Sequence, residues 1–530
     1  MTNNLHTPND TPAPGPTVAS VLRRGYAEYA DLPAVVDLSG DVTTYRELGR
    51  AARRLVAGLG SLGATKGDRV VVLTKNRSEC FTIDHALAIG GFVRVALSYR
   101  LHQREVAEIV HDAGAQIVIV DGERTSELAA ELASFSGRLV SIDDVDAPTA
   151  IPFSSLFGEA EAEAVDIRPD DLVWMPYTSG TSGKPKGVMH THRSLLSILR
   201  NILVELPGAS TDDFLVHTAP LTHLSGYAMM AYFMRGAQQL ALDHFDPGQL
   251  LSVVEKHRAT VLPLVPTMIN MLLPALESGQ YDVSSVHTVI YGGSPIAPDR
   301  LARAIKAFGP VFVQSYGLTE MPYNCYLSKQ DHGFDPAGTV PERLASAGRV
   351  SPFVEMRLMT ADGPAADGES GEIQVRGDAA MSGYWNLPAE TAETLLEGGW
   401  IATGDVGRMT DGFLHVVDRK KDMIVSGGFN VYPTEVENAI YSLPEVAEVA
   451  VVGIPDERWG ETVHAVIALR EGCEVTQDQV ELACLSSIAP YKRPRTVEFV
   501  DELPKTGTGK IKRREVKERF WIGRDRLVNG

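Results

Sequence analysis

The sequence predicts an α/β protein: a large N-terminal domain of layered α/β subdomains that includes a β-rich subdomain, followed by a small C-terminal α+β domain. Three observations support this fold class. The chain has 530 residues, more than one hydrophobic core normally organises. Apolar runs of strand length alternate with segments of helical periodicity. The hydrophobic pattern also changes twice, near Gly348 and after Asp422.

The α/β layers are predicted from apolar runs that have no polar alternation. Such runs indicate strands buried on both faces, as in largely parallel sheets. Between them, "YRELGRAARRLVAGLGSLG" and "LLSILRNILVEL" carry apolar residues at three- and four-residue spacing, which predicts amphipathic helices. The predicted strands are "DRVVVL" (68–73), "AQIVIV" (115–120), "DLVWM" (171–175) and "VHTVIYGG" (286–293).

The run "ATVLPLVPTMINMLLPAL" at 259–276 is long and contains no charged residue. Its three prolines would interrupt a membrane helix, so a buried strand followed by a buried helix is the better interpretation. We therefore predict no membrane span.

Changes in composition place the domain boundaries. Residues 1–17 are rich in proline, threonine and asparagine, a composition that predicts a disordered tail. They lack the apolar stretch of a signal peptide. The N-terminal domain is predicted at 18–418, with short alternating strands and Asp-Gly turns forming its β-rich part at about 348–418. The charge run at 419–422 predicts a hinge. The C-terminal domain is predicted at 423–530.

Composition also limits the partners. Lysine plus arginine number 49 against 68 aspartate plus glutamate, a net charge of -19, which argues against nucleic acid or an anionic membrane as the main partner. The four cysteines form no C-x-x-C pair and no cluster with histidine. We therefore expect neither a disulfide framework nor a zinc site. Cysteine usage of this kind predicts a cytoplasmic location.

The segment "YTSGTSGKPKGV" at 177–188 has the composition of a phosphate-binding loop. Its glycines let the backbone approach an anion, and its hydroxyls and lysines supply donors and positive charge. The alternative is an ordinary polar loop. The segment is not a Walker loop, because Pro185 rather than serine or threonine follows Lys184 and because the helix does not begin directly after it.

This segment is similar to the signature loop of the adenylate-forming superfamily, which includes acyl-CoA synthetases, adenylation domains and beetle luciferase. Ser182 stands where threonine is more usual, which keeps a hydroxyl. Further motifs of that superfamily follow in order over nearly the whole chain. They are "QSYGLTE" (314–320), "TGD" (403–405), "DRKKDMIVSGGFNVYPTEVE" (418–437) and "PKTGTGKI" (504–511).

The resemblance implies an ATP site. Tyr316 would stack on adenine, Asp405 and Arg419 would contact the ribose, and Thr319 would contact phosphate. Glu320 would be the ligand of Mg²⁺, a cation that prefers carboxylate and phosphate oxygens. The other implied nucleotide-binding residues are Thr178, Ser179, Gly180, Thr181, Ser182, Gly183, Lys186, Gly292, Gly293 and Gly317.

The resemblance also implies a catalytic lysine and a mobile C-terminal domain. Lys510 would bridge the carboxylate and the α-phosphate as charge develops, and the C-terminal domain would pivot at Lys421. Gly427 and Gly428 would border the channel for the pantetheine arm of coenzyme A. His223 would act as a gate between the acyl and thiol channels; a plain structural histidine is the alternative.

The acyl pocket is predicted from the segment after His223, from "YGGSP" and from the residues after Gly317. The first segment offers no carboxylate to pair with an α-ammonium group, so an α-amino acid substrate is not expected. Its methionines favour a hydrophobic acid, although such residues commonly form plain core. The predicted pocket residues are Ser225, Gly226, Tyr227, Met230, Ser294, Pro295 and Met321.

The predicted function is an AMP-forming acyl-CoA synthetase that uses ATP, Mg²⁺ and coenzyme A to activate a fatty, aryl or alicyclic acid. One alternative within the superfamily is an enzyme that passes the acyl-adenylate to an amine or to a carrier-protein thiol. A luciferase-like oxygenase and a P-loop NTPase are alternatives of other classes. A homodimer is compatible with the sequence.

Overall fold

The structure is a computed structural model of the chain. It describes residues 15–143, 145, 149–179, 185–206, 208–334, 338–419, 422–426, 429–456, 458–505 and 511–521.

The α-helices alternate with strands through the first three hundred residues, as the sequence predicts. In chain order they are α1 Val18–Glu28, α2 Tyr45–Ser61, α3 Glu79–Gly90, α4 Gln103–Asp112, α5 Gly122–Glu131, α6 His192–Glu205, α7 Leu224–Phe233, α8 Pro247–His257, α9 Pro266–Glu277, α10 Pro298–Phe308, α11 Lys329–His332, α12 Pro388–Thr394, α13 Pro433–Ile440, α14 Gln477–Ser487 and α15 Arg513–Trp521.

Most of the described strands are short. In chain order they are β1 Pro33–Val36, β2 Val42–Thr44, β3 Arg69–Leu73, β4 Val93–Ala96, β5 Ile117–Val120, β6 Arg138–Ser141, β7 Ala150–Pro152, β8 Leu172–Trp174, β9 Tyr177–Ser179, β10 Pro185–Gly187, β11 His190–Thr191, β12 Phe214–His217, β13 Gln238–Ala241, β14 Val261–Leu264, β15 Thr288–Gly292, β16 Phe312–Leu318, β17 Met321–Leu327, β18 Arg349–Val350, β19 Glu355–Thr360, β20 Gly363–Pro364, β21 Gly371–Arg376, β22 Leu395–Leu396, β23 Trp400–Thr410, β24 Phe413–Arg419, β25 Ile424–Ser426, β26 Phe429–Val431, β27 Val446–Asp456, β28 Gly460–Leu469 and β29 Thr496–Val500. The three of ten or eleven residues, β23, β27 and β28, all begin at residue 400 or later.

The chain divides into two compact units. The first comprises Met1–Pro263, Thr319–Pro322 and Asp378–Ala392, and the second comprises Leu264–Leu318, Tyr323–Gly377 and Glu393–Gly530.

The first unit contains a sheet in the order β11-β8-β4-β3-β5-β6-β7, parallel except for the β11–β8 pair. A second group in this unit has β12 and β13 parallel, with β1 added beside β13. Strand β3 explains the parallel arrangement, because four of its five residues are buried and it has no polar face. Helix α2 begins at a capping box in which Thr44 and Glu47 satisfy each other's backbone N–H groups.

The second unit contains the strands that the sequence predicted after about Gly348. Strands β20, β19, β21, β23 and β22 form an antiparallel sheet in that order, and β24 pairs with β23. A further sheet has the order β26-β25-β28-β27, with β29 parallel to β28, and its core packs against α13 and α14.

The α/β fold class is therefore confirmed, including the strand and helix within the long uncharged run. Among the described residues, no helix combines the length and apolar character needed to cross a bilayer. The domain boundaries stay a prediction. Lys420 and Lys421 of the predicted hinge, and residues 1–14 of the predicted tail, lie outside the described residues.

Candidate active site

The phosphate-loop candidate connects two strands of a β-hairpin. Strand β9 pairs antiparallel with β10, and Thr178 lies opposite Lys186. Helix α6 begins only at His192, with Thr191 as its N-cap. A Walker loop runs from a strand directly into the N-terminus of a helix, so the hairpin is a different device for presenting backbone and ammonium donors. Residues Gly180, Thr181, Ser182 and Gly183 of the loop lie outside the described residues.

The segment that follows this hairpin is paired with residues 382–385. The N–H of Met189 donates to the carbonyl of Gly383 over 3.0 Å, and the N–H of Trp385 donates to Gly187 over 2.8 Å. Val188 and Tyr384 form an antiparallel bridge between these hydrogen bonds. The hairpin therefore rests on a second stretch of backbone within the first unit.

Thr319 and Glu320, the predicted phosphate and metal contacts, are held close to the same segment. The Nε2–H of His190 donates to the carbonyl of Thr319 over 2.8 Å, and the N–H of Met381 donates to the carbonyl of Glu320 over 2.8 Å. Burial lowers the pKa of His190 to about 4, so the ring stays neutral at physiological pH. The structure thus brings Thr319, Glu320 and Lys186 into one region of the first unit.

The carboxylate of Glu320, which has few protein partners among the described residues, is suited to bind Mg²⁺. That ion keeps several waters and is usually bound through one or two carboxylates plus substrate phosphates. The described residues contain no group of three or more histidine, cysteine, aspartate or glutamate side chains arranged to hold a metal. Glu320, beside the β9–β10 hairpin (the phosphate hairpin), is a carboxylate of the kind that binds Mg²⁺ together with nucleotide phosphates.

In the second unit, Tyr316 and Asp405 are joined directly. The Tyr316 hydroxyl donates to Asp405 Oδ2 over 2.8 Å, and Arg419 Nε lies 3.7 Å from Asp405 Oδ1. Burial, followed by the charge of Asp405, holds the pKa of Tyr316 well above 10, so its hydroxyl remains a donor. A carboxylate has about four acceptor sites, so Asp405 can accept more than one hydrogen bond. Three predicted adenosine contacts are thus brought together.

The glycines predicted near the adenine site differ in their packing. A Cβ on Gly292 would lie 2.5 Å from the carbonyl oxygen of Ser315, so only glycine fits between β15 and β16 here. Gly293 follows with φ +83°, and Gly293, Pro295 and Gly317 are exposed while Ser294 is half-buried. Their contacts with a nucleotide or an acid stay a prediction.

Helix α7 carries most of the predicted acyl-pocket residues. His223 precedes it, half-buried, with its Nδ1 2.7 Å from the hydroxyl of Thr222. The Tyr227 ring stacks on Trp174 with centroids 5.0 Å apart, and a Cβ on Gly226 would lie 2.1 Å from the carbonyl oxygen of Leu221. Met230 and Met321 are fully buried. These are packing roles, and contact with the acyl group stays a prediction for all of them, as does the gate role of His223.

A buried chain of hydrogen bonds fixes the start of α7 to the sheet. The Ser225 hydroxyl donates to His217 Nδ1 over 2.8 Å, and His217 Nε2–H donates to Gln239 Oε1 over 2.9 Å. The Gln239 amide in turn donates to the carbonyl of Met229 over 3.1 Å, which orients its oxygen toward His217. Ser225 is thus tied to β12 and β13.

The buried histidines of the protein make its free energy of unfolding depend on pH. Burial lowers the pKa of His217 to about 4, against 6.5 for the free side chain. Because the unfolded chain takes up the proton first, each such histidine contributes stability above pH 6.5 that is lost as the pH falls toward 4. Burial also lowers the pKa values of His85, to about 3, and of His190, His192 and His332, each to about 4.

We therefore expect the free energy of unfolding to fall by about 1.4 kcal/mol per pH unit for each such histidine within this window. Urea unfolding at pH steps from 7.5 to 5 measures the total slope. In the His217→Gln variant the slope should become shallower by one histidine's share, because one proton fewer is taken up on unfolding. An unchanged slope would contradict the assignment of His217 as a neutral buried ring.

Several predicted residues lie outside the described residues: Lys421, Gly427, Gly428 and Lys510. The structure in turn draws attention to Tyr384, which sequence reasoning did not select. Its hydroxyl donates to Glu320 Oε1 over 2.6 Å, and Lys186 Nζ lies 5.0 Å from its ring centroid. An aromatic residue after a glycine is too common a pattern to reveal such a contact across 64 residues.

Comparison with known proteins agrees with this geometry. A profile of AMP-binding enzymes matches residues 22–385, and a profile of the AMP-binding enzyme C-terminal domain matches residues 435–510. The chain is 39% identical over 491 residues to a medium/long-chain-fatty-acid–CoA ligase of Mycobacterium tuberculosis, a match that covers 88% of this chain and 84% of that protein.

Two further proteins extend this likeness. A feruloyl-CoA synthase of an Amycolatopsis species is 38% identical over 485 residues, or 91% of this chain and 94% of that protein. The crystal structure of ATP-bound MatB from Rhodopseudomonas palustris superposes with a TM-score of 0.85 at 28% identity, covering 95% of this chain and 99% of that one. The chain therefore belongs to the AMP-binding enzymes of the adenylate-forming superfamily.

Proposed function

We propose that this protein is an AMP-forming acyl-CoA ligase for a hydrophobic carboxylic acid. The observation that carries the proposal is the grouping of the phosphate hairpin, Lys186 and Glu320 within the first unit. The relatives named above, which by name are CoA ligases of a fatty acid and of ferulate, support both the reaction and the class of acid.

The reaction has two halves. In the first, a carboxylate oxygen of the acid attacks the α-phosphorus of ATP, the bond to the β-phosphate oxygen breaks, and pyrophosphate leaves. The hairpin backbone and Lys186 hold the β- and γ-phosphates, which makes the loop a cradle for the leaving group. Tyr316 and Asp405 hold the adenosine, and Lys510 stabilises the charge that develops between carboxylate and α-phosphate.

Mg²⁺ would be held by Glu320 together with phosphate oxygens, and when bound it neutralises their charge. In the second half, the C-terminal domain turns about Lys421 and withdraws Lys510. The sulfur of coenzyme A then attacks the acyl carbon, and AMP leaves. No protein nucleophile takes part in either half.

The acceptor separates this function from its alternative, transfer to an amine or to a carrier-protein thiol. The test is a panel of a medium-chain, a long-chain, an aryl and an alicyclic acid, with phenylalanine as the charged-amine control. ATP–pyrophosphate exchange reports adenylation, and the product mass reports transfer to coenzyme A, a carrier protein or a primary amine.

We expect exchange with at least one hydrophobic acid, none with phenylalanine, and a thioester when coenzyme A is added. Exchange followed by transfer only to the amine or the carrier protein would favour the alternative. Release of orthophosphate without exchange would contradict adenylation itself and indicate a nucleotide hydrolase.

A further inference from the structure

Tyr384 is fixed where several backbone segments of the first unit meet. Its backbone is bridged to Val188, directly after the phosphate hairpin, and its N–H donates to the Thr391 hydroxyl over 2.9 Å. Thr391 donates in turn to the carbonyl of Leu387 over 2.7 Å. The side chain of Tyr384 is buried, with 7% exposure. A ring so constrained at both backbone and side chain has little rotational freedom.

The hydroxyl of Tyr384 fixes the side chain of Glu320. It donates to Oε1 over 2.6 Å, a distance typical of a hydrogen bond to a charged carboxylate. The backbone around Glu320 is already held by the bonds from His190 and Met381. The hydrogen bond from Tyr384 restricts the three side-chain torsions of Glu320. With it, the carboxylate keeps one direction and still has acceptor sites for a cation.

The face of the same ring contacts Lys186. Lys186 Nζ lies 5.0 Å from the ring centroid, within the range of a cation–π interaction. The edge of Tyr384 therefore orients the predicted metal ligand, while its face retains the predicted phosphate-binding ammonium. These two interactions use different parts of one side chain, so they can be removed separately.

We propose that Tyr384 is a positioning residue for metal-bound ATP: it presets Glu320 for the cation and keeps Lys186 beside the phosphates. This inference rests on the proposed function, because it assigns Glu320 and Lys186 to Mg²⁺ and phosphate. A preset carboxylate does not lose conformational freedom when the metal–nucleotide complex binds.

The test separates the two interactions of Tyr384, the hydrogen bond of its hydroxyl to Glu320 and the contact of its ring face with Lys186. Tyr384→Phe removes only the hydroxyl and keeps the packed ring, so the variant should fold with a thermal midpoint close to that of the wild type. Binding of a non-hydrolysable ATP analogue is measured by calorimetry with Mg²⁺ and with EDTA. We expect the gain in affinity that Mg²⁺ gives the wild type to shrink by about 10- to 100-fold, the range for a hydrogen bond to a charged group. Binding in EDTA should be unchanged.

Tyr384→Leu removes the ring as well. Binding in EDTA should then also weaken, by a few-fold, because a cation–π contact is a smaller interaction. In ATP–pyrophosphate exchange, both variants should need more Mg²⁺ for half-maximal rate, with the KM of the acid unchanged.

The chain offers a matched control in the same unit. The Tyr99 hydroxyl donates to Glu123, and Lys75 Nζ lies 4.9 Å from the Tyr99 ring centroid, the same trio of residue types away from the hairpin. Tyr99→Phe should leave the Mg²⁺ dependence of binding unaltered.

Wild-type Mg²⁺ dependence in Tyr384→Phe, or an equal change in Tyr99→Phe, would overturn the proposal. Failure of the proposed function is a separate outcome, because it appears as a wild-type protein that exchanges pyrophosphate with no acid. The calorimetric comparison of wild type and Tyr384→Phe still decides the role of Tyr384 in that case.

Discussion

Replacing Lys510 with alanine should slow formation of the acyl-adenylate by about 10²–10³-fold, the usual effect of removing a donor aimed at developing charge. The sequence places this lysine in "PKTGTGKI", and it lies outside the described residues. A compact ammonium can approach the carboxylate and α-phosphate as their charges change and then withdraw. The measurement is ATP–pyrophosphate exchange with the best acid from the panel.

The second half-reaction provides the internal control. Thioester formation from supplied acyl-adenylate should be much less affected, because Lys510 is withdrawn in that state. Lys512→Ala is the matched variant. Lys512 forms a surface pair with Glu515 at 3.3 Å, and its removal should change neither half-reaction by more than a few-fold. Equal losses in both half-reactions of Lys510→Ala would contradict the assigned role.

Replacing Arg513 with methionine should lower the free energy of unfolding of the second unit by about 3–5 kcal/mol, because a buried ion-pair network would lose the cation that its three carboxylates share. Arg513 Nη2 lies 2.7 Å from Glu437, and its Nη1 lies 3.5 Å from Asp418 and 3.4 Å from Asp422. The Asp418 and Glu437 side chains are only 2% and 11% exposed, so water cannot replace the guanidinium.

Urea unfolding followed by a probe within α15, such as Trp521 fluorescence, measures this loss. Burial raises the pKa of both Asp418 and Glu437, and Arg513 opposes that rise. Without Arg513 both carboxyls should take up protons more readily in the folded state, so the deficit should be smaller at pH 5 than at pH 8.

Arg519→Met is the control for this experiment. It removes the same charge from the same helix, but its pair with Glu498 at 2.7 Å is at the surface. We expect a loss below about 1 kcal/mol. A comparable loss in both variants would indicate that helix propensity or net charge, rather than the buried network, sets the stability.

The predicted elements were found because their signals are local. Strand β3 and helix α2 were predicted from a few consecutive residues, and α9 was predicted despite Pro274 within it. The distinction from a Walker loop was equally local, since Pro185 and the late start of α6 are visible in the sequence. The structure adds that the loop belongs to a hairpin.

The contacts around the site were not predictable in the same way. Tyr384 reaches Glu320 across 64 residues, and Ser225 reaches His217 through a sheet that only the fold assembles. Ser225 was predicted to line the acyl pocket from its place next to His223. Its hydroxyl donates to a buried histidine, a direction that depends on where β12 lies beneath α7, and its contact with the acyl group stays a prediction.

The sequence alone determined the class of fold, the order of the motifs and the residue types that can hold a nucleotide, because periodicity, turn chemistry and donor groups are properties of short segments. The tertiary structure decided which of those groups are held in one orientation by a partner. Three sets of interactions join residues far apart in the chain. They are the hydrogen bond from Tyr384 to Glu320, the one from Tyr316 to Asp405, and the ion pairs of Arg513 with three carboxylates. Such pairs are specified by packing, because a hydrogen bond of fixed direction needs both partners to be placed by the rest of the fold.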